Sequence, residues 1–154
     1  MLKNVFRDEL QALLPPRACL FDPYQLLVYE CDGSTAFKSV PDAVVLPRST
    51  DEVARVVRLC DRADVPFLAR GAGTGLSGGA TPREGGVVIA LTRMNRLLDL
   101  DLDNRMALCQ TGLVNLEISR GVATHGLYFA PDPSSQSSCT LGGNVAENSG
   151  GPHC

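Results

Sequence analysis

The stretch Ala69-Arg70-Gly71-Ala72-Gly73-Thr74-Gly75-Leu76-Ser77-Gly78-Gly79, "ARGAGTGLSGG", places five glycines in eleven residues directly after the apolar run "VPFLA". At that density the backbone can approach a ligand closely and adopt positive φ, so successive amides can turn inward around an anion. Thr74 and Ser77 add hydroxyl donors, and Arg70 adds positive charge. Read literally, Gly73-x-Gly75-x-x-Gly78 matches the G-x-G-x-x-G of dinucleotide-binding turns, and Asp99 lies near the acidic position that accompanies them. That motif works only where a helix opens within it and aims its N-terminal amides at a pyrophosphate. Here the continuation is "GGATPREGG", whose glycines and proline forbid the helix. A Walker loop is excluded as well, because no Lys-Ser or Lys-Thr follows the glycines. Two readings remain: a helix-free anion nest, or a flexible hairpin loop without a ligand.

A second segment also stands apart from the rest of the chain. "APDPSSQSSCTLGGNVAENSGGPHC", at the C-terminal end, is rich in Pro, Ser, Gly and Asn and poor in large apolar groups. It cannot form much core by itself, and so reads either as a loop serving a site or as a disordered linker.

These two segments need a scaffold. With 154 residues, 44% apolar and 20% charged, the chain has the size and composition of one ordinary globular domain. A short amphipathic helix is expected over residues 4–14, stopped by Pro15-Pro16. Residues 21–41 are irregular and turn-rich, and "DAVVLP" reads as a β-branched strand. Ser49 and Glu52 stand at capping-box spacing ahead of Val53, Val56, Val57, Leu59 and Cys60, which predicts a helix over about 50–64. "VPFLA" and "GVVIAL" are strands on either side of the glycine loop. "RLLDLDLDN" and "RMALCQTG" form a strand pair joined at an Asp-Asn turn, and a helix follows near 114–124. His125, before Gly126, sits where it can cap that helix at its negative end. The order is an α+β pattern without regular βαβ alternation.

Several function classes drop out on composition. A net charge of −3 and the lack of any lysine- or arginine-rich run argue against a nucleic-acid partner. No run approaches the roughly 18 apolar residues of a membrane helix. Arg7, Asp8 and Glu9 interrupt the N-terminus where a secretory signal would be continuously apolar, so the expected location is cytoplasmic, with docking on a membrane-bound partner as the alternative. Cys19, Cys31, Cys60, Cys109, Cys139 and Cys154 show neither C-x-x-C nor histidine spacing, and read first as small buried or half-buried thiols of a reducing compartment, with a disulfide framework or a metal site as the alternative.

Taken together, the glycine loop, "PDPSS" at 131–135 and "CTLGGNVAENSGG" at 139–151 resemble the FAD-binding domain of the vanillyl-alcohol oxidase, or PCMH-type, flavoprotein family. The wording is most similar in the branch that oxidises small D-2-hydroxy acids such as glycolate and D-lactate. The resemblance runs from about Asp42 to the end, leaving residues 1–41 as a helix and irregular lead-in before a FAD-binding domain at 42–154. It implies a fold of two α/β subdomains enclosing FAD. The first loop would then wrap the pyrophosphate with Arg70, Gly71, Ala72, Gly73, Thr74, Gly75, Leu76, Ser77, Gly78 and Gly79. The second segment would line the rest of the cofactor with Pro131, Asp132, Ser135, Thr140, Gly142, Gly143, Asn144, Asn148 and Gly150. Some members bind flavin covalently through a histidine four residues after the arginine of the first loop. Thr74 holds that position here, so noncovalent FAD is implied.

The resemblance further implies hydride transfer from a small 2-hydroxy acid to FAD, with a separate iron–sulfur subunit as a candidate electron acceptor beside oxygen or a quinone. Members of the family continue for several hundred residues beyond the second segment, adding the cap domain that carries the substrate and the catalytic base. The chain is therefore expected to be the truncated N-terminal part of such a protein, with its catalytic residues unknown. The competing expectation is a non-catalytic flavin- or nucleotide-binding module, or an inactive remnant.

Overall fold

Val44, Val45, Val87, Val88 and Ile89 are β-branched residues in two short runs, and all five are buried. Strands covered on both faces read as continuous apolar runs, and these two lie side by side at the centre of a sheet. The computed structural model describes residues 2–154. It contains, in chain order, α1 (Asn4–Ala12), β1 (Cys19–Leu20), α2 (Pro23–Leu26), β2 (Ala43–Val45), α3 (Thr50–Arg62), β3 (Phe67–Arg70), β4 (Val87–Ala90), β5 (Leu97–Asp101), β6 (Met106–Cys109), α4 (Asn115–Val122) and α5 (Leu141–Glu147). A four-stranded sheet has the order β1-β2-β4-β3, and β5 and β6 form a separate antiparallel pair. β4 pairs in parallel with both neighbours, so Val88 stands opposite Val44 on one side and Leu68 on the other; β1 is antiparallel to β2.

Side chains alternate across the sheet, and each face has its own cover. Ala43, Val45, Val87 and Ile89 pack with Phe6, Leu10 and Leu14 from the N-terminal helical segment and Val56, Leu59 and Cys60 of α3. Val44, Val88 and Ala90 face the other way, against Leu26 of α2. The segment before β2 thus contributes to both layers. A third cluster, Leu113, Ile118 and Leu141, joins α4 to α5 beside the β5–β6 pair.

Local signals account for most of the boundaries. Ser49 caps α3, its Oγ accepting from the Glu52 N–H at 3.2 Å. The Glu52 carboxylate reaches back one residue further than a capping box requires, taking the Arg48 N–H at 2.7 Å. α1 ends ahead of Pro15-Pro16, as its prolines demand. α4 passes into a 3-10 turn over Ala123–His125, and Gly126 closes it in the left-handed region at φ 68°. The irregular stretch 21–41 contains α2, whose cap Asp22 Oδ1 accepts from the Tyr24 and Gln25 N–H groups.

One expectation is corrected. The serine- and glycine-rich C-terminal segment is neither plain loop nor linker, because Leu141–Glu147 is helical. Gly142 and Gly143 are poor helix formers, but Thr140 caps the helix and the Leu141 and Gly142 N–H groups donate to the Leu113 and Thr111 carbonyls at 3.0 and 2.8 Å. Tertiary contacts override the local propensity.

All six cysteines are free. Burial pushes the Cys19 and Cys60 thiols up to about 11, so both stay protonated at neutral pH. Among the described residues no helix is long and apolar enough to cross a membrane.

Replacing Leu10, which is fully buried, by alanine is expected to destabilise the protein by about 3 kcal/mol. Ser49→Ala, which removes only the α3 cap, is expected to lower stability by about 1 kcal/mol. Urea unfolding midpoints check the order; a Leu10→Ala protein as stable as wild type would mean that α1 is not part of the core.

Candidate functional site

β3 and β4 are adjacent parallel strands joined by residues 71–86, which contain no helix. The G-x-G-x-x-G match is therefore not a dinucleotide turn: no helix opens within it. The segment runs over the ends of the sheet as an ordered loop, and its backbone groups divide into two sets. On one side they are tied to the protein. The Gly78 N–H donates to Asp32 Oδ2 at 2.8 Å, the Gly75 carbonyl accepts from the Gly33 N–H at 2.8 Å, and the Ala80 carbonyl accepts from Arg70 Nη1 at 3.0 Å. On the other side they are unused. Among the described residues no acceptor takes the N–H of Ala72, Gly73, Thr74, Gly75, Leu76 or Ser77. Six consecutive amides without a protein partner are an arrangement that an anion or solvent must complete.

Arg70 holds this loop from below. Its side chain is buried at the end of β3, with the guanidinium 5.5 Å from the centre of the Tyr29 ring. Desolvation pulls the guanidinium below its ordinary range, and Tyr29 and Asp32 oppose that pull. Gly73 lies directly over it at φ 75°, and a Cβ there would overlap the guanidinium. Asp32 is buried too, and its second oxygen accepts from the Ser34 N–H at 2.8 Å. The carboxylate therefore organises the lead-in and the loop together.

The second segment meets the first across a cleft of about 350 Å³. Gly71, Ala72, Gly73, Thr74, Gly75, Leu76 and Gly79 line one wall, and Ser135, Thr140, Gly143 and Asn144 line the other. The loops touch at Gly71, where a Cβ would overlap Thr140 Oγ1. Asn144 is buried, and its Nδ2 has no hydrogen-bond partner among the described residues. A buried amide donor left unpaired is costly, and this one belongs to a residue of the cleft wall.

The other residues expected from the sequence lie around the cleft and not on its walls. Ser77 and Gly78 use their polar groups on Glu147 and Asp32. The Pro131 carbonyl accepts from Asn115 Nδ2 at 2.9 Å, Asp132 pairs with His153, Gly142 packs on Thr111, Asn148 ends α5 in the left-handed region, and Gly150 lies against Cys154. Sequence reasoning passed over three residues that hold the site: Asp32, Asn115 and Glu147. The Asp-Gly-Ser of residues 32–34 was a visible turn signal. Asn115 was visible only as a polar residue inside an apolar pattern.

Strand-flanked glycine loop, opposing capped segment and unpaired donors together make a cleft whose chemistry suits an anionic ligand. Residues 41–154 match the family described as an FAD binding domain, and the chain belongs to that family. It is 48% identical over 141 residues, 92% of its length, to the glycolate oxidase subunit GlcD of Escherichia coli K12, and 42% identical over 114 residues, 74% of its length, to a D-lactate dehydrogenase of Anaerostipes hadrus. The chain spans 28% of the former and 24% of the latter. Among solved structures, p-cresol methylhydroxylase with substrate bound superposes with a TM-score of 0.82 at 22% identity, covering 92% of this chain and 28% of that one. That likeness shows the fold, which is the PCMH-type α+β arrangement.

Two outcomes test the geometry. Asp32→Ala leaves the Gly78 and Ser34 amides unpaired and is expected to destabilise the protein by about 2 kcal/mol, with faster amide exchange at Gly78 and Ser34; unchanged exchange there would show that Asp32 does not hold the loop. Hydrogen bonds from the His153 ring and backbone N–H hold the Asp132 carboxyl below the usual carboxylate range. A depressed carboxyl stabilises the fold above its ordinary pKa, and that contribution is lost as pH falls through the depressed value. Asp132→Asn should accordingly flatten the acid limb of the melting temperature against pH, whereas superimposable acid limbs would contradict the pairing.

Proposed function

We propose that this chain forms the FAD-binding part of a flavin-dependent oxidoreductase that acts on a small D-2-hydroxy acid of the glycolate and D-lactate class. The observation that carries the proposal is the run of unpartnered amides at residues 72–77, most of it on the cleft wall opposite Asn144, whose buried Nδ2 is itself unpaired. The residues fit the group: the amides can take the oxygens of a pyrophosphate, and Asn144 can donate to a further acceptor of the cofactor. When bound, FAD supplies a hydride acceptor for a substrate carbon.

This chain's residues bind and orient. Arg70 contributes positive charge from beneath the loop while fixing the Ala80 carbonyl, and so supports the nest without leaving the protein. Asp32 and Gly33 keep residues 75–78 in place, and Asn115 anchors the second segment at Pro131. Thr74 offers neither an imidazole nor a thiol, so the flavin is held without a covalent bond. The names of the two relatives support the hydroxy-acid class, and the word subunit in one of them supports work within an assembly, for which we propose an iron–sulfur electron-accepting partner. Such an assembly would sit in the cytoplasm or dock at the inner membrane through its other subunits.

The full-length protein, purified and mixed anaerobically with glycolate or D-lactate, should lose its oxidised flavin absorbance; a spectrum that no D-2-hydroxy acid bleaches would overturn the substrate class. Gly73→Val places a branched side chain against the Arg70 guanidinium at a positive φ, and should abolish flavin retention. Variant protein that purifies with a full complement of yellow flavin would refute the loop assignment. Acid precipitation of the holoprotein should leave the colour in the supernatant.

A further inference from the structure

Glu147 is the last residue of α5, where a carboxylate faces the negative end of the helix. Helix stability does not account for it. Its side chain instead reaches across the cleft to the glycine loop, where Ser77 Oγ donates to Oε1 and Oε2 at 2.7 and 2.8 Å. The carboxylate also lies against Gly75 and Gly79, and Glu147 lines the same cleft as the unpartnered amides. Among the described residues the Ser77 hydroxyl is its one hydrogen-bond donor. No backbone hydrogen bond joins residues 71–79 to residues 140–150, so this is the hydrogen bond that ties the glycine loop to α5 beside the cleft.

We propose that Glu147 is a positioning residue for the cofactor: through Ser77 it closes α5 onto the glycine loop and sets the width of the cleft that takes the pyrophosphate. The inference rests on the FAD reading of the cleft. Asp32, Gly33 and Arg70 hold the loop to the rest of the fold but do not fix its distance from α5, and setting that distance at the moment of binding would weaken the complex. The latch removes part of that penalty before the cofactor arrives. It does so with a hydrogen-bond acceptor, and the charge is incidental to it. A glutamine, whose side-chain oxygen also accepts from a hydroxyl, should therefore substitute.

The test uses apoprotein of the full-length chain, titrated with FAD and followed by flavin fluorescence, with limited proteolysis within residues 71–79 as a readout independent of turnover. Glu147→Ala and Ser77→Ala should each weaken FAD binding about five- to tenfold, as loss of one hydrogen bond allows, and should speed proteolytic cleavage within the loop in the absence of FAD. The double variant should be no weaker than either single one, because both remove the same contact. Glu147→Gln should recover most of the affinity. Singles that multiply in the double variant, an alanine variant that binds as tightly as wild type or tighter, a glutamine variant as weak as alanine, or unchanged proteolysis of the loop would each overturn the latch. Wild-type protein that fails to bind FAD would overturn the cofactor reading and the latch with it.

Discussion

Backbone amides that donate to nothing in the protein are the constraint around which this structure is arranged. Residues 72–77 form such a run, and an irregular segment of that kind would ordinarily be mobile, because each ordered residue gives up about 1–2 kcal/mol of backbone entropy. Here the flanks of the run are held by bonds that do not consume its donors. Asp32 takes the amide just beyond it, Arg70 takes the carbonyl of Ala80, and the Gly33 N–H takes the carbonyl of Gly75. Carbonyls and outer amides are spent on the scaffold, while the inner amides donate to none of the described residues.

The sheet serves that arrangement. Parallel β3 and β4 are neighbours, so the chain must cross from the end of one to the start of the other. Such crossings usually carry a helix that covers one face of the sheet. In this chain α1 and α3 already cover one face and α2 the other. The connection between β3 and β4 is thereby relieved of packing duty and can be glycine-rich. The apolar centre of the sheet also fixes the depth at which Arg70 sits, since its strand ends beside Ala90 of β4. A guanidinium at that point is half sheet and half site.

Many local features were legible in the residues. Uninterrupted β-branched runs marked β2 and β4, Ser49 marked the start of α3, the prolines marked the end of α1, and the Asp-Asn turn marked the β5–β6 pair, whose Asp101 carboxylate accepts from the Asn104 N–H at 2.9 Å. Each of these is decided by neighbours within a few positions. That the glycine loop is not a helix-based nucleotide turn was legible, because the glycines and proline that follow it forbid the helix and no Lys-Ser or Lys-Thr completes a Walker loop. Not legible were β1, whose two residues exist as a strand only because β2 lies beside them, and α5, which forms on glycines because Thr111 and Leu113 offer carbonyls to its first turn.

By itself, the sequence determined which segments could become strands or helices, which segment was too rich in glycine to pack, and, through the pairing of two loop motifs, which cofactor family they resemble. Those properties follow from backbone freedom and side-chain polarity, which act over a few residues. Tertiary structure alone decided which polar groups are spent and which are left open. Asp32 and Gly78 are far apart in the chain, as are Ser77 and Glu147, and nothing local to either partner announces the other. Whether an amide is free for a ligand depends on whether a distant carbonyl or carboxylate reaches it first, and only the folded chain brings those groups within hydrogen-bond distance.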